Sequence, residues 1–167
     1  FSRWKTRENV RCVSAAVALR PNGDATGKPM LAICTPVHDC KPDISYVRSL
    51  LLTQQLLTER QIDHVILLTA GQSHVGKARE HSLWSAMDVG ATHILFIDSD
   101  MGWEASLVAT LLDANLDFCC AVGARKQDTP EVCCNFFPGL QNFEARTGFL
   151  EVKDVGFAFT MIKRSVV

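Results

Sequence analysis

The sequence predicts an α/β fold in which a mainly parallel β-sheet is flanked by helices on both faces. Two observations support this prediction. Between residues 30 and 122, short apolar segments alternate with longer amphipathic segments, and parallel strands need such long crossover connections. The 167 residues correspond to about one domain, and a content of 47% hydrophobic and 21% charged residues is typical of a globular protein.

Short apolar segments bounded by turn-forming or polar residues are predicted to be buried strands. These segments are residues 30–34, 64–69, 93–97 and 118–122. Two further strands are predicted at residues 148–152 and 155–162, where they would form a β-rich C-terminal extension. Residues 126–146 are polar and aromatic and contain prolines, so we expect a long loop there.

Three amphipathic helices are predicted between the strands, because apolar residues recur there at spacings of three and four. They cover residues 44–59, 75–89 and 102–115. Pro42 and Asp43 are expected to start the first helix, and Ser73 and Gly90 to bound the second. Since ligands bind at the carboxyl ends of strands in open α/β sheets, functional residues are expected at that edge.

Charge, hydropathy and cysteine spacing limit the class of protein. The formal net charge of −1 argues against duplex nucleic acid as the main partner. No apolar run approaches the roughly 18 to 20 residues of a membrane helix. Seven cysteines without C-x-x-C spacing predict buried thiols in a reducing, cytoplasmic compartment rather than a disulfide framework or zinc site.

Residues 30–167 are predicted to form a single α/β domain. Residues 1–29 precede it as an N-terminal extension or edge segment. Since the chain begins with Phe1 rather than methionine, we expect it to be a piece of a longer protein, truncated at the C-terminal side.

Two aspartates directly follow the apolar segment 93–97. Asp98 and Asp100 are two residues apart, so in an extended chain they point to the same side, about 6 to 7 Å from each other. Mg²⁺ is typically held by one or two carboxylates together with substrate phosphates. The pair therefore predicts a divalent cation that binds together with a diphosphate. The alternative is that Asp100 caps the following helix while Asp98 merely ends the strand.

Lys77 and Arg79 are a second candidate site for anions. They lie in the first turns of the predicted helix 75–89, and a helix N-terminus favours negative charge. We therefore expect Arg79 and Lys77 to bind phosphates or the base of a nucleotide. A solvated helix face is the alternative.

Residues 30–167 resemble the GT-A glycosyltransferases of the family 2 type, which have a Rossmann-like nucleotide-diphospho-sugar transferase fold. Four segments carry the resemblance. Residues 31–36 are similar to the opening strand of the family with its nucleotide loop, and residues 74–83 are similar to a helix with an Ala-Arg-Asn sequence. Residues 92–100 are similar to the D-x-D segment, and residues 155–164 are similar to the strand after the acceptor loop. Glu80 stands where the family usually has asparagine.

The resemblance implies a transferase that moves a sugar from a nucleotide diphosphate, most often UDP, to a glycan, protein or small-molecule acceptor. It implies that Asp98 and Asp100 hold Mn²⁺ or Mg²⁺, with Ser99 between them in the donor site. Thr35 and Pro36 are implied to line the nucleotide pocket. The catalytic residue is unknown, and the acids available near the C-terminus are Glu144, Glu151 and Asp154.

Three other functions compete with the transferase. Residues 71–78 come within one residue of the P-loop pattern G-x-x-x-x-G-K-[ST], although Ala78 lacks the hydroxyl group that would bind Mg²⁺. The Asp98-Ser99-Asp100 sequence also resembles the aspartyl nucleophile of the haloacid dehalogenase family, although Gly102 stands where that family has threonine or valine. The third is a catalytically silent module that binds a sugar nucleotide or a glycan.

Several further side chains are candidate binding residues that also have an ordinary structural interpretation. His38 and Asp39 follow the first predicted strand, where they either line a base pocket or form an ordinary turn. Four aromatic residues are either sugar-stacking platforms or core anchors. They are Trp103, Phe136, Phe137 and Phe143.

Overall fold

The chain folds into an α/β arrangement with a mixed five-stranded sheet. A computed structural model describes residues 28–122, 134–137 and 149–167. The elements in chain order are β1 (Met30–Val37), α1 (Ile44–Glu59), β2 (Asp63–Ala70), α2 (Val75–Asp88), β3 (His93–Ile97), α3 (Ala105–Ala114), β4 (Phe118–Cys120), β5 (Cys134–Asn135), β6 (Asp154–Val155), β7 (Phe159–Lys163) and a 3₁₀ turn (Arg164–Val166).

The strand order of the sheet is β2-β1-β3-β7-β4. β1 pairs in parallel with β2 and β3, and β7 pairs antiparallel with both β3 and β4. β5 and β6 form a separate antiparallel pair. The predicted α/β class is confirmed, and the predicted parallel arrangement holds for β2, β1 and β3.

The C-terminal strands differ from the prediction. The predicted strand 155–162 is two strands, because a turn at Phe157 and Ala158 separates β6 from β7. β7 is not part of an extension, since it lies inside the sheet between β3 and β4. Residues 149–152 are not in a strand. Apolar periodicity indicates that a segment is buried, but it does not identify the neighbouring strand, and this explains the error.

Helices cover both faces of the sheet. Leu31 and Ile33 of β1 belong to the core on the side of α1 and α3. Ala32 and Cys34 belong to the core on the side of α2. All five residues of β3 are buried. A strand that is covered on both faces has no solvent-facing side, which explains its unbroken apolar sequence.

The observed helix ends show which of the predicted capping residues cap their helices. α1 spans the predicted residues, and the Asp43 carboxylate caps it by accepting a 2.7 Å hydrogen bond from the backbone of Ser45. The prediction that Ser73 caps α2 is wrong, because the ring of His74 accepts the hydrogen bond from the backbone N–H of Lys77. α3 begins three residues later than predicted and ends before Asn115, which adopts a left-handed conformation with φ of 49°.

Five cysteines lie in the described residues, and none of these five is in a disulfide bond. Cys34 and Cys119 are buried as predicted, and burial raises the pKa of Cys34 to about 12 and that of Cys119 to about 11. Cys40 is exposed. The other two cysteines, Phe143, Glu144 and most of the predicted loop 126–146 lie outside the described residues. None of the helices in the described ranges is long and apolar enough to cross a membrane.

Candidate functional site

An open pocket of about 260 Å³ lies at the carboxyl ends of β1, β2 and β3, and we call it the acidic pocket. Three chain segments form it. They are the end of β1 with Pro36 and His38, the β2–α2 connection with Gln72, Ser73 and Val75, and the turn after β3 with Asp98, Ser99 and Asp100. This is the edge of the sheet where the sequence predicts functional residues.

The ends of β1 and β2 are tied together at the wall of the acidic pocket. The backbone N–H of Gly71 donates a hydrogen bond to the carbonyl of Val37 over 3.3 Å. Nδ1 of His38 lies 3.1 Å from the carbonyl oxygen of Gln72. Gly71 has a φ of 75°, a backbone conformation that glycine adopts without steric cost. These contacts place His38 and Gln72 side by side at the opening.

Neighbouring backbone groups hold the acidic turn, residues 98–100, on two sides. The N–H of Asp98 donates to the carbonyl of Ala158, which precedes β7, over 2.9 Å. The carbonyl of Ser99 accepts a 2.9 Å hydrogen bond from the N–H of Asp43 at the start of α1. The turn is therefore fixed to the sheet and to a helix terminus.

The chain that follows the acidic turn packs against α1. A Cβ atom at Gly102 would lie 3.1 Å from the Cβ atom of Ser45, so only a residue without a side chain fits there unless the neighbour shifts. The N–H of Trp103 donates to the hydroxyl of Ser49 over 2.9 Å, and its indole Nε1 donates to the hydroxyl of Thr53 over 2.8 Å. Trp103 is therefore a core anchor rather than a sugar-stacking platform.

Arg79 lies beside the acidic turn. Its guanidinium donates a 2.6 Å hydrogen bond to Oδ1 of Asp98, and the two side chains are 22% and 32% exposed. The guanidinium lies over the ring of Phe157, with its carbon 5.1 Å from the ring centroid. Phe157 in turn packs against Phe96 of β3, with ring centroids 5.3 Å apart. The predicted phosphate ligand is thus already engaged with a predicted metal ligand.

The structure brings some predicted site residues together and places others elsewhere. Pro36, Ser99 and the two aspartates line the acidic pocket. Thr35 is fully buried, and its hydroxyl lies 2.7 Å from that of Tyr46, so its side chain does not reach the pocket. Lys77 is exposed and is not among the residues that line the pocket.

Gln72, Ser73 and Val75 line the pocket, although sequence analysis assigned none of them to the donor site. The available signal is their position directly after an apolar strand that is parallel to β1. Phe157, which stacks on Arg79, is a second omission. Its position depends on the antiparallel strand β7, whose place in the sheet the sequence does not show.

The residues in the acidic pocket fit a divalent cation that brings part of its own coordination. Two carboxylates from one turn are the hard oxygen donors that Mg²⁺ and Mn²⁺ accept. Within the described residues, no group of three or more His, Cys, Asp or Glu side chains is arranged to hold a metal ion. Such a site suits an ion that completes its coordination with diphosphate oxygens and water.

The larger cavity of the described structure is apolar and lies away from the acidic turn. It has a volume of about 970 Å³ and is lined by α3, the region of β4, residues 134–136 and residues 149–155, including Leu107, Phe118 and Phe136. Phe136 and Phe137 are partly exposed. Glu151 lies on this cavity, and neither it nor Asp154 lines the acidic pocket. The described residues therefore identify no carboxylate there beyond the aspartate pair.

Comparison of the chain with protein-family models, with curated proteins and with solved structures finds no match. The resemblance to GT-A glycosyltransferases therefore stays a prediction. What bears on function is the chemistry of the acidic pocket.

Proposed function

We propose that this chain is the donor-binding domain of a metal-dependent glycosyltransferase. The observation that carries the proposal is the acidic pocket, in which Asp98 and Asp100 stand at the carboxyl edge of the sheet beside the ends of β1 and β2. Paired carboxylates at this edge fit a cation that binds with a diphosphate. The donor is a sugar nucleotide, with UDP favoured by the resemblance to the GT-A family.

Transfer of the sugar requires stabilisation of the negative charge that develops on the leaving diphosphate. Breaking the bond between a sugar and a diphosphate leaves negative charge on the departing diphosphate. A bound divalent cation supplies Lewis-acid stabilisation of that charge. Asp98 and Asp100 hold the cation at the pocket, and the backbone hydrogen bonds of the acidic turn keep their positions fixed. Preorganised ligands of this kind need little rearrangement when charge develops.

The remaining walls of the pocket supply contacts for the nucleotide. Pro36 and His38 offer a flat apolar surface and a ring nitrogen to the base, and Gln72 and Ser73 offer polar groups to the ribose. The volume of about 260 Å³ is just below the range of about 300 to 1,000 Å³ typical of ligand sites. Part of a sugar nucleotide would therefore extend beyond the acidic pocket.

The P-loop alternative receives less support from the local backbone. α2 begins at Val75, so Gly76 and Lys77 lie in its first turn. The N–H of Lys77 is also engaged with the ring of His74. In a P-loop these backbone N–H groups would face the phosphates.

Calorimetric titration with UDP, GDP and ATP, each with and without Mn²⁺, tests the proposal. We expect UDP or GDP to bind only with Mn²⁺, because the carboxylates and the diphosphate share the ion. Asp100→Ala should weaken this binding by about 100-fold, because substitution of even an outer-shell partner of a metal ligand typically costs about 10- to 100-fold in metal affinity. Asp63→Ala is the matched control, since Asp63 begins β2 at the opposite edge of the sheet and should leave the affinity unchanged.

Other outcomes identify the competing functions. Preference for ATP with Mg²⁺ that Lys77→Ala abolishes would favour a P-loop protein. Hydrolysis of a phosphomonoester that Asp98→Asn abolishes would favour an aspartyl nucleophile. Nucleotide binding without hydrolysis or transfer of the sugar from the donor would favour a silent binding module.

A further inference from the structure

We infer that Arg79 is a positioning residue that acts through Asp98 and makes cation binding depend on the diphosphate. The inference rests on the proposed function, and it differs from the phosphate-binding role that the sequence predicts for Arg79. It concerns the order in which the pocket fills: the cation alone binds weakly, and the cation with a nucleoside diphosphate binds strongly.

The Arg79–Asp98 ion pair limits how Asp98 can bind a cation. The guanidinium hydrogen bond occupies Oδ1 of Asp98 at 2.6 Å. Oδ2 is then the oxygen of Asp98 that is left for a cation, so the carboxylate would bind the ion through one oxygen. Arg79 does not itself line the acidic pocket. Its guanidinium is therefore a ligand of the carboxylate and not of the pocket contents.

Arg79 is held in place from several sides. Its guanidinium stacks on Phe157, which also packs against Phe96. Arg79 follows Ala78, which is buried against the sheet and fixes this turn of α2. Its Nε atom is buried and has no hydrogen-bond partner in the described part of the chain. A side chain confined in this way cannot reach out to a phosphate without breaking the ion pair and the stacking.

Arg79 also changes the local charge, because its guanidinium offsets the negative charge of Asp98 at hydrogen-bond distance. A divalent cation alone is therefore attracted by one net charge less than it would be without Arg79. A nucleoside diphosphate supplies further negative charge and additional oxygen ligands. The ion pair thus weakens binding of the bare cation more than binding of the cation–diphosphate complex.

The test measures Mn²⁺ binding by electron paramagnetic resonance of the free ion, with and without UDP. Arg79→Gln removes the charge and keeps a hydrogen-bond donor, so Mn²⁺ alone should bind about fivefold more tightly, the effect expected for a partly exposed ion pair. The factor by which UDP strengthens Mn²⁺ binding should fall correspondingly. Arg79→Lys keeps the charge and should stay close to the wild type.

The control is a second arginine in an ion pair. Arg60 donates to Asp113 over 3.0 Å far from the acidic pocket, so Arg60→Gln removes the same charge and should leave Mn²⁺ binding unchanged. Circular dichroism establishes that each variant is folded. If Arg79→Gln does not fold, Arg79→Met provides the same change of charge with a side chain of similar length.

The outcomes distinguish a positioning role of Arg79 from a phosphate-binding role, and both from failure of the proposed function. Unchanged or weaker binding of Mn²⁺ alone by Arg79→Gln overturns the inference, and a loss restricted to UDP affinity would identify Arg79 as a phosphate ligand. Failure of the proposed function looks different, because then UDP and GDP would not strengthen Mn²⁺ binding in the wild type or in any variant.

Discussion

The strand β3 is buried, whereas the acidic turn that follows it is at least partly exposed. All five residues from His93 to Ile97 are buried between two helical layers. Asp98 is only partly buried and Asp100 is exposed at the pocket. The buried part determines where the turn lies, and the turn supplies the charge. Stability and ligand binding are therefore expected to depend on different residues of one continuous segment.

The two cavities show the same contrast on a larger scale. The apolar cavity has more than three times the volume of the acidic pocket, with about 970 Å³ against about 260 Å³. Size alone would favour the apolar cavity as a ligand site. Chemistry favours the acidic pocket, because the ends of three strands bring two carboxylates and polar side chains together there.

The largest effect on stability is expected from Leu95→Ala, in the buried part of β3. Leu95 is fully buried in the core on the side of α1 and α3. Removing its side chain should lower the free energy of unfolding by about 3 kcal/mol, from lost burial and the remaining cavity. Denaturation with urea measures this, while Mn²⁺-dependent UDP affinity of the folded variant should stay unchanged.

Leu68→Ala is the control for Leu95→Ala. Leu68 lies in the neighbouring part of the same sheet but is 47% exposed, so its truncation should change the free energy of unfolding by no more than about 0.5 kcal/mol. A folded Leu95→Ala protein that no longer binds the nucleotide would contradict the separation of core and pocket.

A smaller effect is expected from Tyr46→Phe, which tests the position of Thr35. The hydroxyl groups of these residues lie 2.7 Å apart in the core. Removing one of them leaves the other without that partner and should lower the free energy of unfolding by about 1 kcal/mol. Replacing both, with Thr35→Val added, should recover part of this loss, as chemical denaturation would show.

The same pair of variants sharpens the contrast between core and pocket. Since the Thr35 side chain does not reach the acidic pocket, Thr35→Val and Tyr46→Phe should both leave nucleotide affinity unchanged. Reduced affinity in Thr35→Val alone would restore the role in nucleotide binding that the sequence predicts for Thr35.

The fold could be predicted from the sequence where local patterns determine it. Apolar runs and amphipathic spacing gave β1 to β4 and the three helices with small errors at their ends, and the residues of α1 were predicted correctly. The position of β7 could not be predicted, because β3 pairs with a strand more than sixty residues later in the chain. Strand partners depend on long-range packing that local periodicity does not encode.

The candidate site could likewise be predicted where local sequence determines it, but not where it depends on long-range packing. Asp98 and Asp100 are recognisable because they directly follow an unbroken apolar strand, and the pocket contains both. The ion pair of Arg79 was missed because it joins α2 to the end of β3 across the sheet. The resemblance places Thr35 near the end of β1, beside the pocket, but it does not show that the side chain points into the core toward Tyr46.

The smallest effect is expected from the pH dependence contributed by His93, at the end of β3 opposite the acidic pocket. Burial lowers the pKa of His93 from its ordinary value of 6.5, and the nearby charge of Lys163 lowers it further, while the neighbouring polar side chain of Asn115 opposes the shift. Between the lowered value and 6.5, the unfolded chain binds a proton that the folded chain does not. The free energy of unfolding should therefore fall as the pH falls through this window.

His93→Gln should remove this contribution in urea denaturation at a series of pH values, whereas His81→Gln, an exposed control on α2, should retain it. An identical pH profile for the wild type and His93→Gln would show that the buried end of β3 is not sensitive to protonation, and the acidic pocket would then be the only part of this segment in which charge matters.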